Sequence, residues 1–230
     1  MTQSPSLPAV AVIGCGGLGV PAAWTLALAG VPRLRLLDSD RVEPSNLHRQ
    51  VAFAECDVGE PKADVLARFL RREVPGLDVE PVRARVGTAD LAAALAGFDA
   101  ALDATDDAGA KFALNDWAVT APRRRTVCLA AAIGRTAQHF VVTPTSACWR
   151  CVFEGPPPAA RLATCATAGV LGTVTGQGGA LAARSLVRAL RGQADAATGA
   201  LVRLTARGWL RTEVPIAADC PCAAAAAARD

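Results

Sequence analysis

Asp38 closes a predicted strand from Arg33 in which Leu34, Leu36 and Leu37 form the apolar run, and it follows a glycine-rich turn, Gly14-Cys15-Gly16-Gly17-Leu18-Gly19. A carboxylate at the end of a buried strand, about twenty residues after such a turn, is where a nucleotide-binding fold holds a ribose. The glycines divide the work: the first permits the tight turn, the second lets backbone N–H groups approach an anion, and the third lets a helix pack on a strand. Downstream runs the polar segment Ser45-Asn46-Leu47-His48-Arg49-Gln50. Its amide, hydroxyl and guanidinium donors suit phosphate oxygens.

Gly59-Glu60-Pro61-Lys62 opens a helix, with proline fitting the first turn. Lys62 in that turn could share a phosphate with the helix N–H groups; the alternative is a solvated lysine. Asp103-Ala104-Thr105-Asp106-Asp107 follows another apolar strand. Carboxylates beside phosphates repel unless a cation intervenes, so the cluster suggests Mg²⁺; Asp106 or Asp107 could also cap the following helix. Arginine fills nearly every cationic position, and the only lysines are Lys62 and Lys111. Lys62 is the lysine expected to matter for chemistry, and Lys111→Ala is expected to do little.

Eight cysteines are present. Cys148 and Cys151 form a CxxC, and Cys220 and Cys222 a CxC. In a reducing compartment such grouping reads as metal before disulfide. The alternative is four buried thiols. Cys165 follows a proline-rich loop and stands near a predicted helix start, a setting that favours thiolate, although a free cysteine is often a small buried hydrophobe.

The elements that would position these residues alternate. Strands are predicted over 9–13, 33–38, 77–85, 98–103, 125–131 and 138–143, and helices over 18–29, from 61, over 88–96 and over 111–120. The third strand contains Pro81, which places it near an edge. A further helix is expected from about residue 166 to 190, then a terminal hairpin over 201–205 and 209–214. The order predicts an α/β protein, a Rossmann-like mostly parallel sheet with helices on both faces, plus a small metal-bound C-terminal portion.

A length of 230 residues fits one domain over 1–230, and a hydrophobic share of 52% supplies a full core. The net charge of +3 argues for neither nucleic acid nor an anionic membrane. Residues 1–8 lack a basic region followed by a long apolar run, and no segment reaches membrane length. A soluble cytoplasmic protein is expected.

Taken together, GCGGLG at 14–19, DSDRVEPSNLHRQ at 38–50, GEPKA at 59–63, LDATDD at 102–107, CWRC at 148–151 and TCATAGV at 164–170 resemble the ThiF/MoeB/HesA family, bacterial relatives of ubiquitin-activating enzymes. The resemblance implies ATP-dependent adenylation of the C-terminal glycine of a small ubiquitin-like sulfur carrier ending in Gly-Gly, in sulfur transfer for thiamine or a related metabolite. It implies a nucleotide site of Gly14, Gly16, Gly17, Gly19, Asp38, Asp40, Ser45, Asn46, Arg49, Lys62 and Asp106. Asp38 would hold the ribose; Ser45, Asn46, Arg49 and Lys62 would contact phosphates; Asp106 would hold Mg²⁺. Zn²⁺ would be held by Cys148, Cys151, Cys220 and Cys222. Cys165 matches the cysteine that joins the carrier in the thiamine branch.

Three positions depart from the family pattern. Residues 1–8 carry no arginine, where the family has a helix whose arginine reaches the partner subunit's ATP in a homodimer. The last cysteine pair is CxC for CxxC, and Asp106-Asp107 replaces Asp-Asn. Two other readings compete: a non-catalytic binding subunit for a ubiquitin-like carrier, and an NAD-dependent oxidoreductase built on the glycine turn and Asp38.

Overall fold

The computed structural model describes residues 6–85, 91–120, 125–157, 169–193 and 197–223. The chain alternates β1 (Val10–Ile13), α1 (Gly19–Leu28), β2 (Arg33–Leu37), α2 (Lys62–Glu73), β3 (Asp78–Val82), α3 (Leu91–Ala94), β4 (Ala100–Asp103), α4 (Ala108–Thr120) and β5 (Thr126–Ile133). It continues through β6 (Thr136–Val142), α5 (Gly172–Leu190), β7 (Ala200–Thr205) and β8 (Gly208–Glu213).

One eight-stranded sheet results, ordered β3-β2-β1-β4-β5-β6-β7-β8. Pairing is parallel from β3 to β5 and antiparallel from β5 to β8. The central parallel strands β1 and β4 are apolar runs because both faces are covered, and every residue of each is buried, whereas β2 and β3 toward the edge carry charged residues. Leu26, Leu66, Leu70, Ala182 and Leu186 of α1, α2 and α5 pack on one face. Phe112 and Leu114 of α4 share the other with Trp149 and Cys148. Pro81 does lie on an edge strand, which among the described residues pairs only with β2. The terminal hairpin joins the main sheet through β6 and β7 and is no separate appendage. Among the described residues, no helix is long and apolar enough to cross a membrane.

The expected helix from residue 166 is corrected: α5 begins at Gly172, and residues 166–168 lie outside the described residues. Just before it, the backbone bonds elsewhere. Gly134 N donates to Gly169 O at 2.9 Å and Leu171 N to Gly134 O at 3.1 Å. These bonds tie residues 169–171 to the β5–β6 turn, and Gly169 has φ +65°. Such a glycine conformation is incompatible with continuing a right-handed helix.

Glycines also let α5 sit unusually close to the first turn of the fold. A Cβ on Gly179 would stand 2.2 Å from Leu18 O, whereas one on Gly176 would meet nothing within 4 Å. His139 of β6 meets Ser185 of α5 at 3.0 Å between Nε2 and Oγ. Burial lowers its pKa to about 4.

Two consequences are measurable. Gly179→Ala should lower unfolding free energy in urea by about 1–3 kcal/mol through overpacking, while Gly176→Ala should be neutral or add up to about 1 kcal/mol of helix propensity. His139 binds a proton near pH 6.5 when unfolded and near 4 when folded, so its contribution is complete above about pH 6.5 and is lost as pH falls toward 4. Stability of the wild type should therefore fall more steeply across that window than that of His139→Gln.

Candidate active site and metal centre

The chain leaves β1 for β2 and β3 on one side and returns on the other side with β4, so a crevice opens beyond the strand ends at this reversal. It holds a cavity of about 880 Å³. That is within the range of small-molecule sites. Gly14, Gly16, Gly17, Asp38, Asp40, Arg49, Lys62 and Asp106 all line it. Gly14, Asp38 and Asp106 converge because they lie at or just past the carboxyl ends of β1, β2 and β4, whereas Arg49 comes from the segment between β2 and α2 and Lys62 from the first turn of α2.

Geometry explains the glycine turn. Gly14 has φ +89°, and a Cβ on Gly19 would lie 1.8 Å from Gly14 O. Gly19 serves the close return of α1 onto β1 and is absent from the cavity wall. Gly17 faces Thr175 of α5, whose Oγ1 would stand 3.1 Å from an added Cβ.

Asp38 is fixed by two backbone donors, Cys15 N to Oδ2 at 2.6 Å and Asp40 N to Oδ1 at 2.7 Å. Burial raises its carboxyl above the ordinary value, opposed by those two N–H groups and by the Lys62 ammonium. Lys62 is buried, and its Nζ donates to Asp40 Oδ2 at 2.9 Å; the Asp40 side chain is 66% exposed. An ion pair with one partner in water is weak, so the ammonium can exchange Asp40 for another anion at little cost.

Within the polar segment the residues separate. Arg49 lines the cavity and donates from its guanidinium to Ser45 O at 2.9 Å. Ser45 is exposed, with its hydroxyl on Glu43 at 3.2 Å, and Asn46 is buried; neither lines the cavity. Among the described residues, Asn46 Oδ1 and Gln50 Oε1 are buried without hydrogen-bond partners. Gln50 is 2% exposed, lines the cavity, and turns its Nε2 toward Gly16, 3.7 Å from where a Cβ would be. A buried amide with an unmet acceptor at the glycine turn fits a polar ligand there. Gln50 and Thr175 were not singled out from sequence. Gln50 stands in the quoted motif, but no local signal marks Thr175.

The 103–107 turn answers the capping alternative. Asp107 caps α4, its Oδ1 accepting Ala110 N at 3.1 Å. Asp106 is exposed on the cavity wall, free of that task. The expectation for Lys111 is corrected: this lysine is 5% exposed, and its Nζ donates to Asp103 Oδ2 at 2.6 Å, Thr105 O at 2.7 Å and Ala130 O at 2.7 Å. Lys111→Ala would leave the buried Asp103 carboxylate unpaired and should be strongly destabilising.

On the sheet face covered by α4, the four Sγ atoms of Cys148, Cys151, Cys220 and Cys222 all lie within 4.8 Å of one another. A tetrahedral site with metal–sulfur bonds of about 2.3 Å needs sulfurs on the order of 3.8 Å apart. The donors therefore suit one metal ion, and the CxC spacing brings both its thiols into the cluster. Helix α4 places the knuckle. Asn115 Oδ1 accepts Trp149 N at 2.7 Å, and Arg150 forks onto Asp116 with two bonds of 2.7 Å. Cys165 lies outside the described residues.

A ligand-sized crevice at the switch point of a Rossmann-like sheet, joined to a four-thiol knuckle, defines the class of protein. Residues 6–223 match the ThiF family, and the chain belongs to it. It is 37% identical over 214 residues to the SAMP-activating enzyme E1 of Haloferax volcanii, covering 92% of this chain and 78% of that one. It is 38% identical over 206 residues to the adenylyltransferase and sulfurtransferase MOCS3 of Bos taurus, covering 88% of this chain but only 45% of the relative. The chain thus spans under half the length of that relative. The crystal structure of E. coli MccB with ATP shares the fold, with a TM-score of 0.82 over 95% of this chain and 68% of that chain at 20% identity.

Freshly purified, reduced protein should carry one metal ion per chain by elemental analysis. Cys220→Ser should lose it and Cys56→Ser, an exposed thiol away from the cluster, should retain it. Stoichiometric metal in Cys220→Ser would remove that thiol from the site.

Proposed function

We propose that this chain is an ATP- and Mg²⁺-dependent adenylyltransferase acting on the C-terminal glycine of a small ubiquitin-like sulfur carrier. One observation carries this reading: a single cavity gathers the 14–19 turn, Asp38, Arg49, Lys62 and Asp106. Family membership and the names of the relatives support it. An oxidoreductase would use the turn and Asp38 but has no work for Arg49, Lys62 or the cysteine knuckle. A pure binding subunit would need no cationic wall.

In this reading the glycine turn lies against the nucleotide, Asp38 and Asp40 face the ribose end, and Arg49 and Lys62 face the phosphates. Ser45 and Asn46, set behind the wall, reach phosphate only if the segment shifts. A terminal carboxylate is already a nucleophile, so the chain's task is charge neutralisation and in-line positioning. The carboxylate oxygen bonds to the α-phosphorus, the bond to the β-phosphate oxygen breaks, and pyrophosphate leaves with that electron pair. Lys62, released from Asp40, and Arg49 donate to the phosphate oxygens that gain charge. Mg²⁺ held by Asp106 would neutralise phosphate charge.

The soft four-sulfur donor set favours Zn²⁺ in the knuckle, where it would hold the C-terminal segment to α4 as a fold constraint. A homodimer and a cytoplasmic location belong to the same reading. The leaning to thiamine rests on Cys165-Ala166-Thr167-Ala168-Gly169 alone, whereas the two relatives named above are SAMP-activating and MOCS3 proteins. In a step separate from adenylation, the Cys165 thiolate would attack the acyl carbon of the carrier's acyl-adenylate, its sulfur bonding to that carbon as the bond to the AMP oxygen breaks and AMP leaves with the electron pair.

Carrier-dependent ATP–pyrophosphate exchange tests the reading. Asp38→Ala should weaken ATP in calorimetry by about 1.5–3 kcal/mol, the range for a charged hydrogen bond. Lys62→Met should slow exchange about a hundredfold while weakening ATP binding much less. Cys165→Ser should leave exchange near wild type and abolish any carrier–enzyme adduct. Exchange that survives both Asp38→Ala and Lys62→Met unchanged would sink the assignment.

A further inference from the structure

Lys111 has no place in the proposed phosphate contacts, yet it is one of only two lysines in the chain and it is buried beside the cavity. An ammonium has three donors and no acceptor. Here all three are used: Asp103 Oδ2 at 2.6 Å, Thr105 O at 2.7 Å and Ala130 O at 2.7 Å. The partners belong to three places. Asp103 is the last residue of β4, Thr105 is within the turn that follows, and Ala130 is in β5.

The pairing of β4 with β5 ends at Asp103 opposite Leu129, whereas β5 runs on to Ile133. Lys111 Nζ fills the opening where the two strands part, and that parting forms the cavity wall at Ala131 and Ala132. The other oxygen of Asp103 holds the same turn, accepting Thr105 N at 2.9 Å and Thr105 Oγ1 at 2.7 Å. Asp107 clamps the far end of the turn onto α4 through Ala110 N. Asp106 lies between these anchors, exposed, with its place set by the residues on either side.

We infer that Lys111 is a positioning residue for Asp106: paired with Asp103, its ammonium fixes the 103–107 turn so that the Asp106 carboxylate meets the divalent cation bound with the nucleotide. The inference rests on the reading of Asp106 proposed above. A lysine suits the position because a compact ammonium can reach three acceptors that converge from different directions, whereas a planar guanidinium favours acceptors lying in its plane. The effect is expected on the cation before the nucleotide. The glycine turn and Asp38 belong to β1 and β2, and the three Lys111 protons go to Asp103, Thr105 and Ala130, although Ala104 and Thr105 do pack beside Gly14.

Lys111→Met tests this on the full chain, with folding checked by circular dichroism and thermal melting. The Mg²⁺ concentration for half-maximal pyrophosphate exchange should rise at least tenfold, while the Kd for ATP measured in EDTA stays within twofold of wild type. A structural role alone would move both or neither. Because a lone buried Asp103 carboxylate can unfold the single variant, Asp103→Asn/Lys111→Met is made beside it. That pair removes both charges but leaves an acceptor for Thr105, and it should show the same rise in Mg²⁺ requirement. A folded variant with the wild-type Mg²⁺ requirement, or with metal-free ATP binding equally impaired, overturns the proposal. Asp106→Ala separates the two layers. If it leaves the Mg²⁺ requirement unchanged, the reading of Asp106 falls and this proposal with it; if it raises the requirement while folded Lys111→Met does not, the proposal falls alone.

Discussion

Backbone packed directly on backbone around the 14–19 turn is the contact on which the rest depends. A Cβ on Gly19 would overlap Gly14 O, and a Cβ on Gly179 would overlap Leu18 O. Missing side chains therefore bring three elements to one point: β1 from below, α1 starting at once behind it, and α5 lying across both. Moving α1 outward by a side chain would separate its buried face, Ala22, Ala23 and Leu26, from the sheet. It would also carry the turn away from Asp38, whose Oδ2 is held by Cys15 N. The cleft is a consequence of tight packing beneath it, and its polar groups inherit their precision from that packing.

The two lysines show how surroundings assign a role to one residue type. Lys111 is enclosed by acceptors, all of its protons are used, and both it and Asp103 are buried. Such a pair is costly to break and cannot be recruited by a ligand. Lys62 is equally buried, but its carboxylate partner Asp40 lies in water. The first arrangement supplies rigidity and the second an ammonium that can be transferred, as a phosphate site requires. The same division appears in the carboxylates, with Asp107 spent on capping α4 and Asp106 left at the cavity.

Much of this was legible in the sequence. Apolar runs that stop at a glycine or an aspartate gave the central strands β1 and β4, since strands buried on both faces have no polar alternation to blur them. Pro81 marked an edge. Spacing alone brought Cys148 with Cys151 and Cys220 with Cys222, but the helix that joins them to the fold acts through Asn115 and Asp116, ordinary residues on a helix. What stayed hidden depended on partners far away in the chain. The start of α5 is set by Gly134, about forty residues earlier on the sequence spacing that local propensity reads. From sequence, Lys111→Ala is expected to do little because nothing near Lys111 in sequence announces Ala130 as an acceptor.

Adenylation ties these parts together, and its product can be seen directly. A ubiquitin-like carrier ending in Gly-Gly would be incubated with the chain, ATP and Mg²⁺, with pyrophosphatase present, and its intact mass recorded. The carrier should gain one adenylyl group at its terminal carboxylate, and a carrier lacking the last glycine should gain none. An unmodified carrier, or ATP consumed to ADP and phosphate, would contradict a chain built to place a carboxylate against the α-phosphate.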